Sequence, residues 1–491
     1  MYPPAARHNA DVTRTRLLLL PLLLAACTPT PTPPSATQDD DVPTVARATR
    51  PAQPSCALTP AWLSGLGGPG RLMGVNLRAP LRAQVTPSLF DQLLDVREAI
   101  NGSYWGESGV DLQALHEQAE RTARAAFGNL RAADLTARTD AFMNEYVDGV
   151  RDGHTYVLDA AGFRAFRDSL SAAPTPAPRL GVRWAAVPGE DGAVLLDAFP
   201  EWPAAQAGLT RGDTLLAIGG QALTRQPGDS DAAHAARLNA LLGQASAAGQ
   251  PVTVTYRRVQ AGAETTASTT VTPRVLSSAP LPYARTPAPG TVLLRLPTFA
   301  TTGVAQQVHA LIGGAQRAGA THLILDLRGN GGGLLSEAIG VAGALVGDRA
   351  GETIETLDGQ DVTFAYRGGQ VLAGYNCAPT SPVLGVGTPA RWTGRLTILV
   401  NEGSASASEI VAQLAAQTGA TLTGERTSGV GNTVTVIGAI SGDRGLSVTI
   451  GRANDLRGQP LTPDVTPSPT TPDDLRALAH GRDLPLDAAL K

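Results

Sequence analysis

The C-terminal half of the chain alternates between short apolar runs and amphipathic segments. Three buried strands are predicted from the apolar runs Val292–Leu296, Leu323–Leu327 and Leu396–Val400. Helical periodicity separates and follows them, over Val304–Arg317, over Leu334–Leu345 and onward from about Ser406. Alternation of this kind favours an α/β core in which parallel strands are joined by crossover helices. We therefore predict an α/β fold for residues 276–491, with functional residues at the carboxyl ends of the strands.

A helical pattern precedes this core between about residues 86 and 150. Thr86-Pro87 is a typical cap and first-turn pair. Apolar residues at helical spacing then predict three helices, which run from Leu89 to Ile100, from Leu112 to Ala126 and from Phe142 to Val150. The pattern ends in a predicted turn at Asp152-Gly153-His154-Thr155. We predict an N-terminal helical subdomain over residues 56–177.

Between these regions, residues 178–275 combine short β-type runs with two helical stretches. The stretch from Pro203 to Leu223 resembles part of a PDZ domain of the bacterial protease type. This resemblance implies that the backbone of Leu180-Gly181-Val182 caps the terminal carboxylate of a peptide, which adds to the domain as an extra strand. A generic small β-domain is the alternative interpretation.

The first 26 residues have the pattern of a signal peptide. Arginines precede the apolar run Leu17–Ala26, which is too short to span a bilayer as a helix. The run ends in Leu24-Ala25-Ala26-Cys27, which resembles the lipobox of bacterial lipoproteins and implies that Cys27 is acylated. An ordinary cleaved signal peptide is the alternative. We predict an exported protein of the cell envelope that a lipid anchor holds on the membrane.

The Pro- and Thr-rich residues 27–55 predict a tether, because they cannot bury enough apolar surface to fold. Beyond the tether, Cys56 and Cys377 are the remaining cysteines. An exported location permits them to form a disulfide, and two separate thiols are the alternative.

Composition and motifs argue against several functional classes. Charged residues make up 17% of the chain and the net charge is -4, which argues against binding to nucleic acid. No His-Glu-x-x-His motif or paired cysteine spacing is present, so a metal site is not expected, and neither is a cofactor. Gly329–Gly333 lacks the lysine of a phosphate-binding P-loop.

Two segments rich in small residues follow predicted strands, at Asp326–Gly333 and at Asn401–Glu409. A serine at a helix N-terminus lies beside free backbone N–H groups, and the helix dipole favours a developing oxyanion there. A glycine-rich loop can bring a further N–H close to a substrate carbonyl. Together the two segments indicate acyl transfer.

In this order after a PDZ-like region, the two segments resemble those of the C-terminal processing and tricorn-like serine peptidases, over about residues 86–470. The resemblance implies that Ser406, the middle serine of Ser404-Ala405-Ser406-Ala407-Ser408, is the nucleophile. It implies oxyanion donors at the N–H groups of Ala407 and Gly332. It also implies a crotonase-like catalytic core, an inserted PDZ domain, and peptides or proteins as substrates.

The general base differs from that of the processing branch, since Val430 stands where that branch has a lysine. Histidine is suited to the role near neutral pH, whereas arginine stays protonated. The run Asp152-Gly153-His154-Thr155-Tyr156 is similar to the histidine motif of the tricorn-like branch, so we predict His154 as the base.

The carboxylate that orients this histidine stays open between Asp152 and Asp464. The missing lysine also leaves open a second function. On that alternative the chain is a catalytically inactive lipoprotein of the same fold that binds peptides or hydrophobic ligands.

Overall fold

The computed structural model describes residues 88–106, 109–128, 137–152, 154–164, 178–276, 279–356, 361–376 and 379–491. The predicted signal peptide, Cys27, the tether, Cys56 and Cys377 lie outside the described residues. In the part of the chain that is described, no helix has both the length and the apolar character needed to cross a bilayer.

The N-terminal helical region contains the three predicted helices and a short strand: α1 (Leu89–Ser103), α2 (Leu112–Phe127), α3 (Ala137–Asp148) and β1 (Tyr156–Leu158). Helix α1 starts two residues later than the Thr86-Pro87 pair predicts. Its cap is Ser88, whose hydroxyl accepts the Asp91 N–H at 3.3 Å, while the Asp91 carboxylate accepts the Ser88 N–H at 2.9 Å. Ile100 and Met143 belong to the same hydrophobic cluster as the parallel strands of the C-terminal half. The helices therefore form a layer of the main core.

Residues 178–275 form a unit with a hydrophobic core of its own, which includes Leu195, Leu215 and Leu238. Its elements are β2 (Pro178–Arg179), β3 (Val182–Ala186), β4 (Ala193–Ala198), α4 (Pro203–Gln206), β5 (Thr214–Ile218), β6 (Gln221–Ala222), α5 (Asp231–Ala247), β7 (Val252–Gln260), β8 (Ala263–Val271) and β9 (Arg274–Val275). The antiparallel sheet has the order β3-β4-β5-β7-β8, with β6 paired to β5. Strands β2 and β9 pair where the chain enters and leaves this unit.

The next region begins with β10 (Tyr283–Ala288), β11 (Thr291–Arg295), α6 (Val304–Arg317), β12 (His322–Asp326), α7 (Leu335–Val346), β13 (Gly351–Thr356), β14 (Val362–Arg367), β15 (Gln370–Tyr375) and β16 (Ser381–Gly385). It continues with β17 (Arg395–Val400), α8 (Ala407–Ala416), β18 (Thr421–Gly424), β19 (Thr433–Ile440), β20 (Arg444–Asp455), α9 (Leu475–Ala479) and α10 (Leu484–Ala489).

A five-stranded sheet of order β10-β11-β12-β17-β18 confirms the predicted α/β core. Its four strands from β11 to β18 are parallel, and only β10 is antiparallel to its neighbour. Strands β12 and β17 are adjacent, with Asp326 opposite Leu399. Because their carboxyl ends meet at one edge, the two small-residue loops that follow these strands lie side by side.

A second, seven-stranded sheet has the order β1-β20-β13-β14-β15-β16, with β19 on the other side of β20. The apolar pattern did not predict this sheet. Nearly all of β20 is buried, although Leu446-Ser447-Val448-Thr449-Ile450 in this strand alternates apolar and polar residues. Strand β1 joins β20 with Tyr156 opposite Ser447, which brings the histidine-bearing turn to the main core.

The C-terminal segment packs on both units. Leu478 of α9 lies in a cluster with Val187 and Val194 of the 178–275 unit. Leu486 of α10 packs beneath the parallel sheet against Ile324. The segment therefore connects the two units after the last strand of the core.

Candidate active site

Ser406 lies on a sharp turn between β17 and α8. Its backbone has φ 54° and ψ -116°, a conformation that non-glycine residues rarely adopt. The Ser406 N–H donates to Oε2 of Glu409 at 2.7 Å, which fixes the turn from the first turn of the helix. A serine on a strained strand-to-helix turn projects its hydroxyl away from the sheet, as acyl-transfer enzymes with this geometry require.

The structure distinguishes the three serines of the run. Ser404 and Ser408 are fully buried, whereas Ser406 is partly exposed. The Ser404 hydroxyl donates to the carbonyl oxygen of Leu327 at 2.9 Å, and the Ser408 hydroxyl donates to that of Asn330 at 2.8 Å. The outer two serines therefore fasten the turn that carries Ser406 to the glycine-rich loop, while Ser406 itself stays partly exposed.

The glycine-rich loop contacts this turn directly at Gly332. A Cβ atom on Gly332 would lie 2.8 Å from the carbonyl oxygen of Ala405, closer than real Cβ atoms approach. The structure thus brings Gly332 to Ser406, as the sequence predicts. The Gly332 N–H, however, donates to Oδ1 of Asn330 at 3.0 Å. The Ala407 N–H has no protein acceptor within the described residues and is open at the start of the helix.

Glu409 is a buried residue of the site that sequence reasoning missed. Besides the Ser406 N–H, its carboxylate accepts from the Thr427 hydroxyl at 2.5 Å and from the N–H groups of Gly429 at 2.8 Å and Val430 at 3.1 Å. Burial raises the pKa of Glu409 despite these donors. The spacing Ser406-x-x-Glu409 is that of a capping box and could have identified it.

Val430, the residue that the sequence comparison set against a lysine, is buried. The segment around it is held by Glu409 and by the Gly431 N–H, which donates to the carbonyl oxygen of Pro463 at 2.7 Å. A Cβ on Gly431 would lie 2.6 Å from Cβ of Glu409, so this segment packs tightly on α8. No amine side chain is present in it to act as a base.

His154 lies at the turn before β1, where the Ser447 hydroxyl donates to its carbonyl oxygen at 2.7 Å. Its Nε2 atom lies 3.2 Å from Oγ1 of Thr433, the first residue of β19. The structure records no hydrogen bond between the side chains of Ser406 and His154. The two residues are connected instead through β19 and the segment that packs on Glu409. Burial lowers the pKa of His154, and the nearby carboxylate of Asp152 opposes that shift.

The two carboxylates considered as orienting partners have other contacts. Oδ1 of Asp152 accepts the main-chain N–H of His154 at 3.0 Å, and its Oδ2 accepts from the Thr155 hydroxyl at 2.9 Å. Asp152 therefore shapes the turn that carries the histidine. Asp464 pairs with Arg426 near the surface.

Four of the other described histidines, His116, His234, His309 and His322, are buried, and His480 is exposed. His309 Nε2 contacts the carbonyl oxygen of Gly340 at 3.0 Å, and His322 Nε2 contacts the Thr397 hydroxyl at 2.9 Å. His116, His234 and His480 likewise contact neighbouring polar side chains. His154, by contrast, lies against Thr433 of β19, next to the segment that packs on Glu409.

The predicted peptide-binding loop lies at the start of β3. The Leu180 carbonyl accepts the N–H of Ala204 at 2.9 Å, and Gly181 has φ 86°. A Cβ on Gly181 would lie 2.6 Å from Cβ of Trp202, so the loop passes directly over α4. Val182 begins β3, which is an edge strand of its sheet and has α5 beside it.

Across the described ranges, no group of three or more His, Cys, Asp and Glu side chains is arranged to hold a metal ion.

Comparison with known proteins places this geometry in a family. The chain is 27% identical over 427 residues to a chloroplastic C-terminal processing peptidase of Tetradesmus obliquus, covering 84% of each chain. A Bacteroides fragilis protein assigned to the S41 proteases has a similar fold, with a TM-score of 0.53 at 15% identity over 83% of this chain and 97% of that one. The photosystem II D1 C-terminal processing protease aligns with a TM-score of 0.41 at 22% identity, over 80% of this chain and 98% of that one. The profile of Peptidase family S41 matches residues 290–470, which include both loops of the site, so this region of the chain belongs to that peptidase family.

Proposed function

We propose that the chain is a serine-type peptidase that hydrolyses peptide bonds through an acyl-enzyme on Ser406. The observation that carries this proposal is that the three serines differ in hydrogen bonding and in exposure. Ser404 and Ser408 use their hydroxyls to fasten the two loops together, while Ser406 stands partly exposed on a strained turn against Gly332. Membership of a peptidase family supports hydrolysis of peptides as the reaction.

In the proposed reaction, His154 removes the proton of the Ser406 hydroxyl as its oxygen attacks the substrate carbonyl carbon. The Ala407 N–H stabilises the oxyanion, and the Gly332 N–H adds to it when released from Asn330. The C–N bond then breaks, and His154 returns the proton to the leaving amine. Water repeats the sequence to release the acid and restore Ser406.

This mechanism requires the imidazole of His154 to turn from Thr433 toward Ser406 when substrate binds. Hydrogen bonds between catalytic groups are often long or absent without substrate and tighten in the complex. The Asp152 carboxylate accepts the backbone N–H of His154, so this hydrogen bond does not itself fix the imidazole ring.

The unit of residues 178–275 is proposed to be an inserted PDZ-type domain on a crotonase-like core. Its support is the edge strand β3 beside α5, which together form a groove that can accept an added strand. The N–H groups of the Leu180-Gly181-Val182 loop would bind the terminal carboxylate of the peptide. A peptide tail held there is presented to the catalytic core by the same chain.

We further propose that the protein is exported and held on a membrane by acyl chains on Cys27, as the leader pattern predicts. Changing Cys27→Ala is expected to move the protein from the membrane fraction to the soluble fraction. Equal membrane association of the variant and the wild-type chain would contradict the anchor.

A second function on the same fold is a peptide-binding protein without catalysis. The contact of His154 with Thr433 in place of Ser406 is the observation that favours it. Labelling with a fluorophosphonate separates the two functions, since only an activated serine forms the adduct. We expect an adduct on Ser406 that is lost in Ser406→Ala and kept in Ser268→Ala, which removes an exposed serine of β8. Folded wild-type protein that forms no adduct and hydrolyses no peptide would support the binding function.

A further inference from the structure

The side chain of Asn401 joins the two loops of the site. Its carbonyl oxygen accepts the Gly329 N–H at 2.7 Å and the Gly403 N–H at 3.1 Å. Gly329 lies three positions before Gly332 in the glycine-rich loop, and Gly403 lies three positions before Ser406 in the other. One oxygen atom, Oδ1 of Asn401, therefore holds both the glycine-rich loop and the turn that carries Ser406.

The two backbones are in direct contact at this point. A Cβ on Gly403 would lie 2.9 Å from Cα of Gly329, which is closer than real Cβ atoms approach. There is no space in which one loop could slide past the other. A change in the position of Asn401 is thus transmitted to the gap between Gly332 and Ser406.

Asp473 sets the orientation of the Asn401 amide. The Asn401 Nδ2 group donates to Oδ2 of Asp473 at 2.8 Å, so the amide oxygen must face the two glycine N–H groups. Oδ1 of Asp473 accepts from Nη1 of the buried Arg328 at 3.0 Å. Asp473 is thereby itself fixed by an ion pair beneath the site.

Asp473 comes from the C-terminal segment, beyond residue 470 where the family profile ends. That segment is attached beside the site, because the Thr471 N–H donates to the carbonyl oxygen of Gly424 at 2.7 Å. Asp473, two residues after Thr471, therefore reaches Asn401 from outside the two loops. The C-terminal segment therefore helps to hold two loops that precede it in the sequence.

We infer that Asn401 and Asp473 are a positioning pair that sets the spacing between the oxyanion donors and the Ser406 nucleophile. The inference rests on the proposed peptidase function. Neither residue touches the reacting atoms, and both act through Gly329 and Gly403. An offset of about 1 Å in such a site costs on the order of 100-fold in rate.

The positioning role is tested by exchanging the hydrogen-bond donor of Asn401 and the acceptor of Asp473. Asn401→Asp places two carboxylates at the 2.8 Å contact, and we expect at least a tenfold lower rate of fluorophosphonate labelling per folded molecule. With a peptide substrate, kcat should fall while KM stays nearly constant. The double variant Asn401→Asp/Asp473→Asn restores a donor opposite an acceptor and should recover most of the rate.

Asp474→Asn is the matched control, since it removes a neighbouring charge. Asp474 caps α9 by accepting the N–H groups of Arg476 and Ala477, and asparagine caps helices equally well. Its labelling rate should equal that of the wild type. Circular dichroism and urea unfolding of each variant give the folded fraction by which the rates are normalised.

The outcomes distinguish failure of the positioning role from failure of the proposed peptidase function. If the wild-type chain is labelled and Asn401→Asp is labelled at the same rate per folded molecule, the pair has no positioning role. Failure of the double variant to recover the rate, with the fold intact, also overturns the inference. If folded wild-type protein is not labelled at all, the proposed function fails and the inference falls with it.

Discussion

Gly332 and Ser406 are in such close contact that no side chain fits between them. A Cβ built on Gly332 would lie 2.9 Å from Cβ of Ser406 and 3.1 Å from the nitrogen of Ala407. Gly332 also has φ 96°, which L side chains rarely adopt. The requirement for glycine here comes from both the backbone conformation and the approach of the nucleophile turn.

We therefore expect Gly332→Ala to reduce kcat/KM by at least 100-fold while the protein still folds. The added methyl group pushes the loop away from Ala407 and moves the oxyanion donors. The backbone strain adds about 1–3 kcal/mol of destabilisation. Peptide hydrolysis and urea unfolding, measured together, separate the two effects.

Gly314→Ala is the control for this variant, because a Cβ on Gly314 meets no atom within 4 Å. This residue lies in α6, where alanine is the better helix former. Unchanged activity in Gly332→Ala would show that the loop does not contribute to the reaction.

The pH dependence of hydrolysis should reflect the lowered pKa of His154. Burial lowers this pKa from 6.5, so the neutral base persists to a lower pH than for an exposed histidine. Activity is expected to rise with pH through a midpoint below 6.5 and to stay level above it. A profile of kcat/KM against pH measures this midpoint in the free enzyme.

Asp152→Asn provides a second test with a defined sign. The Asp152 carboxylate raises the pKa of His154, so its removal should shift the acid limb to still lower pH. Asparagine keeps an oxygen that can accept the His154 N–H and preserves the turn. A limb that moves upward, or that does not move, would argue against His154 as the base.

Glu352 in β13 is fully buried, and neither carboxylate oxygen has a hydrogen-bond partner within the described part of the chain. Burial raises its pKa from 4.5 to about 8, so the folded state keeps the proton that the unfolded chain loses. Stability from this group is present below about pH 4.5 and is lost as pH rises toward 8. Between pH 5 and pH 8 the wild type should lose on the order of 3 kcal/mol more unfolding free energy than Glu352→Gln.

Urea unfolding at the two pH values checks this expectation. Glu264→Gln, at an exposed position of β8, is the control and should follow the wild type at both. An equal pH dependence in wild type and Glu352→Gln would show that the carboxyl group does not titrate in this range.

Asp197 and Arg295 form a buried ion pair between the 178–275 unit and the catalytic core. Nε of Arg295 donates to Oδ1 of Asp197 at 2.8 Å and Nη2 donates to Oδ2 at 2.9 Å. Asp197→Ala leaves the Arg295 charge buried without this partner and should lower the unfolding free energy by about 3–5 kcal/mol.

Denaturant unfolding of Asp197→Ala measures this loss. The exposed pair of Arg121 and Glu117 offers the comparison, since breaking it by Glu117→Gln should cost less than about 1 kcal/mol. Similar small effects for both variants would mean that the buried pair does not hold the two units together.

Much of the fold was predictable because it follows from local patterns. The helix Val304–Arg317 has the predicted bounds, the strand predicted over Leu396–Val400 begins one residue earlier at Arg395, and the other predicted elements begin or end within a few residues of theirs. Apolar periodicity reports these elements directly, and the small-residue loops after β12 and β17 followed from their places behind two parallel strands. The antiparallel sheet around β20 was not predicted, since its strands pair across long separations in sequence, as Tyr156 of β1 does with Ser447 of β20.

The chain's own residues thus determined the parallel strands, the glycine-rich loop and the serine at a helix start, because each depends on neighbours in sequence. Only the tertiary structure decided which hydroxyls are bound, and that the Thr427 hydroxyl and the Val430 N–H reach the Glu409 carboxylate. It also decided that Asp473 reaches Asn401. These contacts join segments up to 78 positions apart, as for Ser408 and Asn330. They depend on how packed elements meet, which no local pattern encodes.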